Sequence, residues 1–232
     1  MSAFDNLEYE LYAVLALTYA FPIFARSLKK GESPDWWDIE HEIGIEVARA
    51  ENEQIGYWKF FVNKYRGKNK ADIPPKELDK LNEEGETVFD DSGRMTYVSD
   101  TRGWFDGKRH IRLAIDVAKV KIEKLNSHIY KKFKNNCLFL YMTQSMIDDD
   151  IENFLSDYIS LVSNYAVYFN HVFLQPWSPK ELFHFDIVSG NINPHKFEDN
   201  ELNELDNNIH ELRKASSWDD GTDFLTVLNQ IN

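Results

Sequence analysis

The sequence predicts an α/β protein, a central mixed β-sheet flanked by helices. Three observations carry that expectation. Segments with apolar residues at steps of three and four alternate with short runs of β-type pattern. The run CLFLYM, Cys137 to Met142, is apolar at every position, which suits a strand buried on both faces in the middle of a sheet. Strands that are separated by helices rather than grouped together favour a sheet with helices packed against it.

The elements follow in order. Phe4–Leu28 places Leu7, Leu11, Val14, Thr18 and Phe21 on one face and reads as a helix that Pro22 bends or ends. Glu10 falls on the margin of that face, and Glu8 points further out. Lys29–Ser33 is a polar turn with Gly31. Pro34–Asp38 is a short strand, its proline suited to a first or edge position because it cannot donate to a ladder. After a turn at Glu40–Glu42, Ile43–Arg49 forms a second strand with Ile43, Ile45 and Val47 toward the core and Gly44, Glu46 and Ala48 on the opposite face. Arg49 shares the isoleucine face and must sit at the strand end.

Glu51–Tyr65 is expected to be helical through Ile55, Trp58, Phe61 (or Val62) and Tyr65. Arg66–Leu81 is a charged loop leading into a short helix that starts at Pro75 or Lys76. Thr87–Phe89 and Arg94–Val98, joined by Asp90-Asp91-Ser92-Gly93, read as a hairpin, and Thr101–Gly107 as a polar turn. Lys108–Phe133 is the longest periodic helix, with Ile111, Ile115, Ala118, Ile122, Leu125 and Ile129 inward and lysines on its outer faces. The strand Asn136–Met142 follows. Asp148–Tyr165 is a helix whose acidic start complements an N-terminus. Tyr168–Leu174 and Glu181–Val188 are further strands.

From Gly190 polar and acidic residues dominate. Asn203–Lys214 is expected as a short, weak helix, and Ala215–Asn232 as a tail in which Phe224, Leu225, Val227 and Leu228 are docking residues. The expected organisation is a domain over 1–189 and an acidic extension over 190–232.

Composition narrows the function. A formal net charge of −13 argues against a protein that simply coats nucleic acid, but less against a nuclease, which needs local positive charge and an acidic metal pocket. The last forty or so residues are strongly acidic, whereas Lys108–Lys134 is basic. The single Cys137 excludes an internal disulfide framework and fits a reducing compartment. No apolar stretch approaches the roughly 20 residues of a spanning helix, and the N-terminus lacks the basic start of a signal peptide. A cytoplasmic protein without membrane contact is expected; self-association is left open. The seven histidines form no zinc spacing, and phosphate-loop, dinucleotide and nucleophile-elbow motifs are missing.

The chemistry concentrates in Ser33–Ala50, SPDWWDIEHEIGIEVARA. Asp35 and Glu46 would lie on neighbouring strands, and the hairpin register, which the sequence leaves open, decides whether they share a face. Paired carboxylates suit Mg2+, which takes one or two of them with water and substrate phosphate. A carboxylate in an apolar strand is costly unless it is paired or metal-bound. Solvent exposure of Glu46 on an edge hairpin, or pairing with a lysine of Lys108–Lys134, is the plainer explanation. Trp36-Trp37 is expected to cover the core, with base stacking as its other role.

This segment resembles the metal-binding segment of the PD-(D/E)XK nuclease superfamily. There an Asp on one strand is followed by Asp or Glu, any residue, and Lys on the next. Pro34-Asp35 matches the first part and Ile45-Glu46-Val47 the second. The resemblance covers about Phe4–Met142 and implies a restriction-endonuclease-like fold and a metal-dependent nuclease hydrolysing DNA or RNA. It further implies Mg2+ or Mn2+ held by Asp35, Glu46 and the Val47 carbonyl, with Glu10 (or Glu8) joining from the first helix.

One departure is plain: Ala48 stands where the family has its lysine. That lysine would stabilise charge developing on the phosphate, and Lys121, then Lys124, from the long helix are expected to fill the space, with Lys119 and Gln54 as further candidates. A degenerate nuclease fold that only binds a partner is the alternative. A small-molecule enzyme has no motif behind it.

Overall fold

The computed structural model describes residues 6–50, 64–100, 107–142, 148–176, 180–215 and 218–231. They fall into two compact units, one formed by residues up to Ala50 and from Ala114 onward, the other by Glu51–Leu113. The protein is α/β, as its periodicities predict.

The first unit is built on a seven-stranded mixed sheet. Its strands are β1 (Lys29–Lys30), β2 (Trp36–Asp38), β3 (Ile43–Ala50), β6 (Asn135–Met142), β7 (His171–Gln175), β8 (Glu181–Asp186) and β9 (Asn191–Lys196), in that spatial order. β3, β6 and β7 run parallel; the outer pairings are antiparallel. β6 lies in the middle because Cys137, Leu138, Phe139 and Leu140 are wholly buried and can only sit between two covered faces.

Helix α1 (Asn6–Ala20) covers one face, with α5 (Asp199–Ala215) and α6 (Phe224–Ile231). Leu11, Leu15, Ile45, Val47, Phe139, Phe173, Leu205 and Phe224 belong to this core. The other face carries α4 (Asp148–Val162), whose Phe154 packs on Phe185 with ring centroids 5.1 Å apart, and the part of α3 (Gly107–Leu125) from Ala114 on. In the second unit, α2 (Pro75–Glu84) and the hairpin β4 (Gly85–Phe89) with β5 (Met95–Asp100) accompany a small core of Tyr65, Ile73, Leu81 and Met95.

Several elements differ from expectation. α1 stops at Ala20, and Pro22–Phe24 is a separate 3-10 turn, since Pro22 has no N–H for the helix. Lys29–Lys30 is an edge strand paired with Trp36–Trp37 rather than a turn. α3 ends at Leu125, eight residues early. Asn126 turns its side-chain amide onto the Ile122 carbonyl (2.8 Å), a local bond that competes with helix continuation, and Ile129 is left 72% exposed. β9 contains Pro194, which an edge strand tolerates.

The linear division at residue 190 does not coincide with the compact units. α5 buries Leu205, Ile209 and Leu212, and α6 buries Phe224, Val227 and Leu228, so this stretch completes a core despite its acidity. Glu8 is buried and paired with Arg213 of α5 rather than pointing outward. The helix expected over Glu51–Tyr65 lies outside the described residues up to position 63, Gln54 included, and so does most of the Thr101–Gly107 turn. Among the described residues, no helix is long and apolar enough to cross a membrane.

Candidate active site

Glu46 is the organising side chain. Because Ile45 and Val47 point into the α1 core, strand alternation sends Glu46 to the other face, where it is completely buried. Its charge is met by three donors. Lys121 Nζ donates to Oε1 at 2.6 Å, Lys124 Nζ to the same oxygen at 2.9 Å, and the Tyr130 hydroxyl to Oε2 at 2.9 Å. The lysines are three apart on α3 and therefore share a helix face. Tyr130 comes from the loop that replaces the expected end of that helix. Burial, with the Glu46 carboxylate as the next cause, holds its phenol well above the ordinary range.

The hairpin register aligns the second acid with Glu46. Trp36 pairs with Ile45, Trp37 with Gly44 and Asp38 with Ile43; one step back along the same ladder, Asp35 stands opposite Glu46. β2 does not extend that far, so the Val47 N–H has no strand partner on this side. Asp35 Oδ2 accepts it at 2.7 Å, which satisfies a donor that would otherwise be orphaned. In an extended strand a residue's N–H and C=O point the same way, so the Val47 carbonyl faces this edge too.

Asp35 is pushed up to about 7, first by burial and then by the charge of Glu46. The Val47 N–H pulls it down, Glu10 raises it, and Lys121 lowers it. Glu10 itself pairs with Lys30 at 2.9 Å, and Lys30 also donates to the Asp35 backbone carbonyl at 3.4 Å.

The structure thus brings Asp35, Glu46, Lys121 and Lys124 together, with Glu10 close enough to act on Asp35 electrostatically. Lys119 is exposed. Tyr130 is hidden in the sequence, because Ile129 continues the helical periodicity beyond Asn126 and masks the break there. No family model matches the sequence, and searches among curated proteins and solved structures find no match.

An all-oxygen donor set suits a hard divalent cation. Among the described residues no group of three or more His, Cys, Asp or Glu could hold a metal ion, but Mg2+ commonly takes only one or two carboxylates. The fit rests on the donor chemistry: the Asp35 and Glu46 carboxylates and the Val47 carbonyl are hard oxygen donors at one strand edge, and a cation there would take the place of the Lys121 and Lys124 ammonium groups on Glu46.

Other reactive groups are accounted for. Cys137 is buried in β6, and burial raises its thiol well above the usual range. His171 and His184 bond each other at 3.1 Å, and burial, with His171 adding to it, lowers His184 to about 4.

A pH prediction follows from Asp35. Its native pKa lies above its unfolded value, so the native state holds a proton that the unfolded chain has lost between about pH 4 and pH 7. Stability from this group is present below that window and is lost as pH rises through it. In metal-free buffer, Asp35→Asn is expected to raise the melting temperature at pH 8 and leave it nearly unchanged at pH 4, a gain of roughly 1–3 kcal/mol. Equal shifts at both pH values would contradict the assignment.

Proposed function

We propose that the protein is a divalent-metal-dependent nuclease, a divergent relative of the PD-(D/E)XK enzymes in which helix lysines replace the strand lysine. The observation that carries this reading is the convergence of Lys121 and Lys124 on Glu46, on the strand face it shares with Ala48. Asp35, Glu46 and the Val47 carbonyl would hold Mg2+ or Mn2+. Bound there, the ion would supply Lewis-acid polarisation of the scissile phosphate and make a water easier to ionise.

The chain's own groups have separable roles. Lys121 and Lys124 bring two ammonium groups to the pair, positive charge suited to a phosphate that becomes more negative as it is attacked. Tyr130 fixes the orientation of Glu46 by holding Oε2. Asp35 is held in place by the Val47 N–H that its Oδ2 accepts, which fixes the carboxylate at the strand edge where it would meet the ion. Glu10 holds Lys30 against the Asp35 backbone.

Purified protein is expected to cut plasmid DNA, single-stranded DNA or RNA with Mg2+ or Mn2+ and not with EDTA. Cleavage that persists in EDTA, or undiminished in Asp35→Asn, would sink the proposal. A second reading, a nuclease-like fold that binds a partner without cutting, is favoured by the three donors already engaging Glu46. A site that takes metal raises the melting temperature as Mn2+ is added; a pure binder stays flat.

A further inference from the structure

Beside the carboxylate pair, the same sheet face carries aromatic rings and lysines that the chemistry above does not use. The register sets Lys29, Trp37 and Gly44 side by side across β1, β2 and β3. Trp37 lies two residues from Asp35, and Gly44 two residues from Glu46, so all four share a face. The adjacent Trp36 is wholly buried on the other face, whereas Trp37 is only half-buried.

Two ammonium groups lie over the Trp37 ring as cation–π contacts: Lys131 Nζ is 4.6 Å and Lys29 Nζ 5.7 Å from its centroid. Lys131 Nζ is also 5.1 Å from the Phe133 ring. Phe133 rests directly on Gly44, where an added Cβ would come within 2.5 Å of it. The loop after α3 therefore serves two neighbouring places, giving Tyr130 to Glu46 and Lys131 with Phe133 to the strip beside it. Residues 119–134 hold six lysines against a single acid in a chain of net charge −13, and Lys119, Lys131, Lys132 and Lys134 are exposed.

We infer that Trp37, with Lys29 and Lys131, is a subsite for one unpaired nucleotide next to the scissile phosphate, and that the substrate is single-stranded nucleic acid. A partly exposed aromatic ring whose mobile lysine partners can swing from it onto a phosphate offers a base a stacking surface with neutralising charge beside it. Bases inside a duplex are stacked on both faces and cannot use it. Two residues along a strand span about 7 Å, the scale of one nucleotide step, so a base on Trp37 belongs to a nucleotide adjoining the carboxylate pair. The position of the scissile phosphate rests on the nuclease reading; binding of the strand does not.

The test is fluorescence anisotropy in EDTA with the full chain, using a labelled oligothymidylate of about fifteen nucleotides and a blunt duplex of the same length. The single strand is expected to bind more tightly than the duplex. Trp37→Ala is expected to weaken it about five- to a hundredfold, and Trp37→Phe much less, because a ring is kept. Lys131→Ala should also lower the salt slope by about one. Unchanged affinity in a folded Trp37→Ala, or preference for duplex, would overturn the inference. If Trp37→Ala does not fold, the surface double variant Lys29→Ala/Lys131→Ala decides: weakened binding supports the subsite and unchanged binding overturns it. Trp37-dependent binding without any metal-dependent cleavage leaves the subsite standing and removes the nuclease reading. Cleavage with binding indifferent to Trp37 does the reverse.

Discussion

Replacing Glu46 with alanine is expected to abolish metal-dependent cleavage and to lower stability together. The activity loss should exceed about a hundredfold, because the change removes both a metal ligand and the anchor of two lysines. The stability loss has a different origin. Breaking a buried ion pair by removing one partner commonly costs about 3–5 kcal/mol. Here the lysine side chains are 25% and 36% exposed and can turn into water, whereas the Tyr130 hydroxyl cannot. A loss nearer 1–3 kcal/mol, mainly from the orphaned phenol, is therefore expected. Glu46→Gln keeps an acceptor for Tyr130 and should recover most of the stability but none of the cleavage. Urea melts and a cleavage assay on the two variants separate these effects; full activity in Glu46→Ala would remove Glu46 from the site.

The second large effect is expected from the lysines taken together. Either one alone still neutralises Oε1, so Lys121→Ala and Lys124→Ala should each cost less than about 1.5 kcal/mol. The double variant leaves a fully buried carboxylate facing a phenol and a neighbouring acid, and should cost about 3–5 kcal/mol. A double-mutant cycle should then give a coupling of at least about 1 kcal/mol. Cleavage should follow the same pattern, with partial loss in each single variant and complete loss in the double. Additive stability losses would mean that the two lysines do not share one charge.

Much of this arrangement is legible in the sequence, for physical reasons. The strand GIEV announces itself because a lone acid in an apolar, alternating run must be compensated, and the unbroken CLFLYM must lie between two covered faces. Lys121 and Lys124 are legible as one unit because a spacing of three puts them on one helix face. The register that aligns Asp35 with Glu46 is not, since alternation fixes a strand's faces but not its partner's offset. Tyr130 is hidden because Ile129 happens to continue the period, although it ends up exposed. α5 reads as weak because acids crowd its surface, yet Leu205, Ile209 and Leu212 keep a buried stripe. Glu8 is misplaced by periodicity alone, because its partner Arg213 lies on an element more than two hundred residues away.

The most direct test is a calorimetric titration of Mn2+ into wild-type protein, Asp35→Asn and Glu46→Gln at pH 7.5. One saturable site in the wild type, weakened at least about tenfold in each variant, is the predicted result, since each change removes one of two carboxylate ligands. No saturable heat in the wild type, or equal affinity in all three proteins, would contradict a metal centre at Asp35 and Glu46.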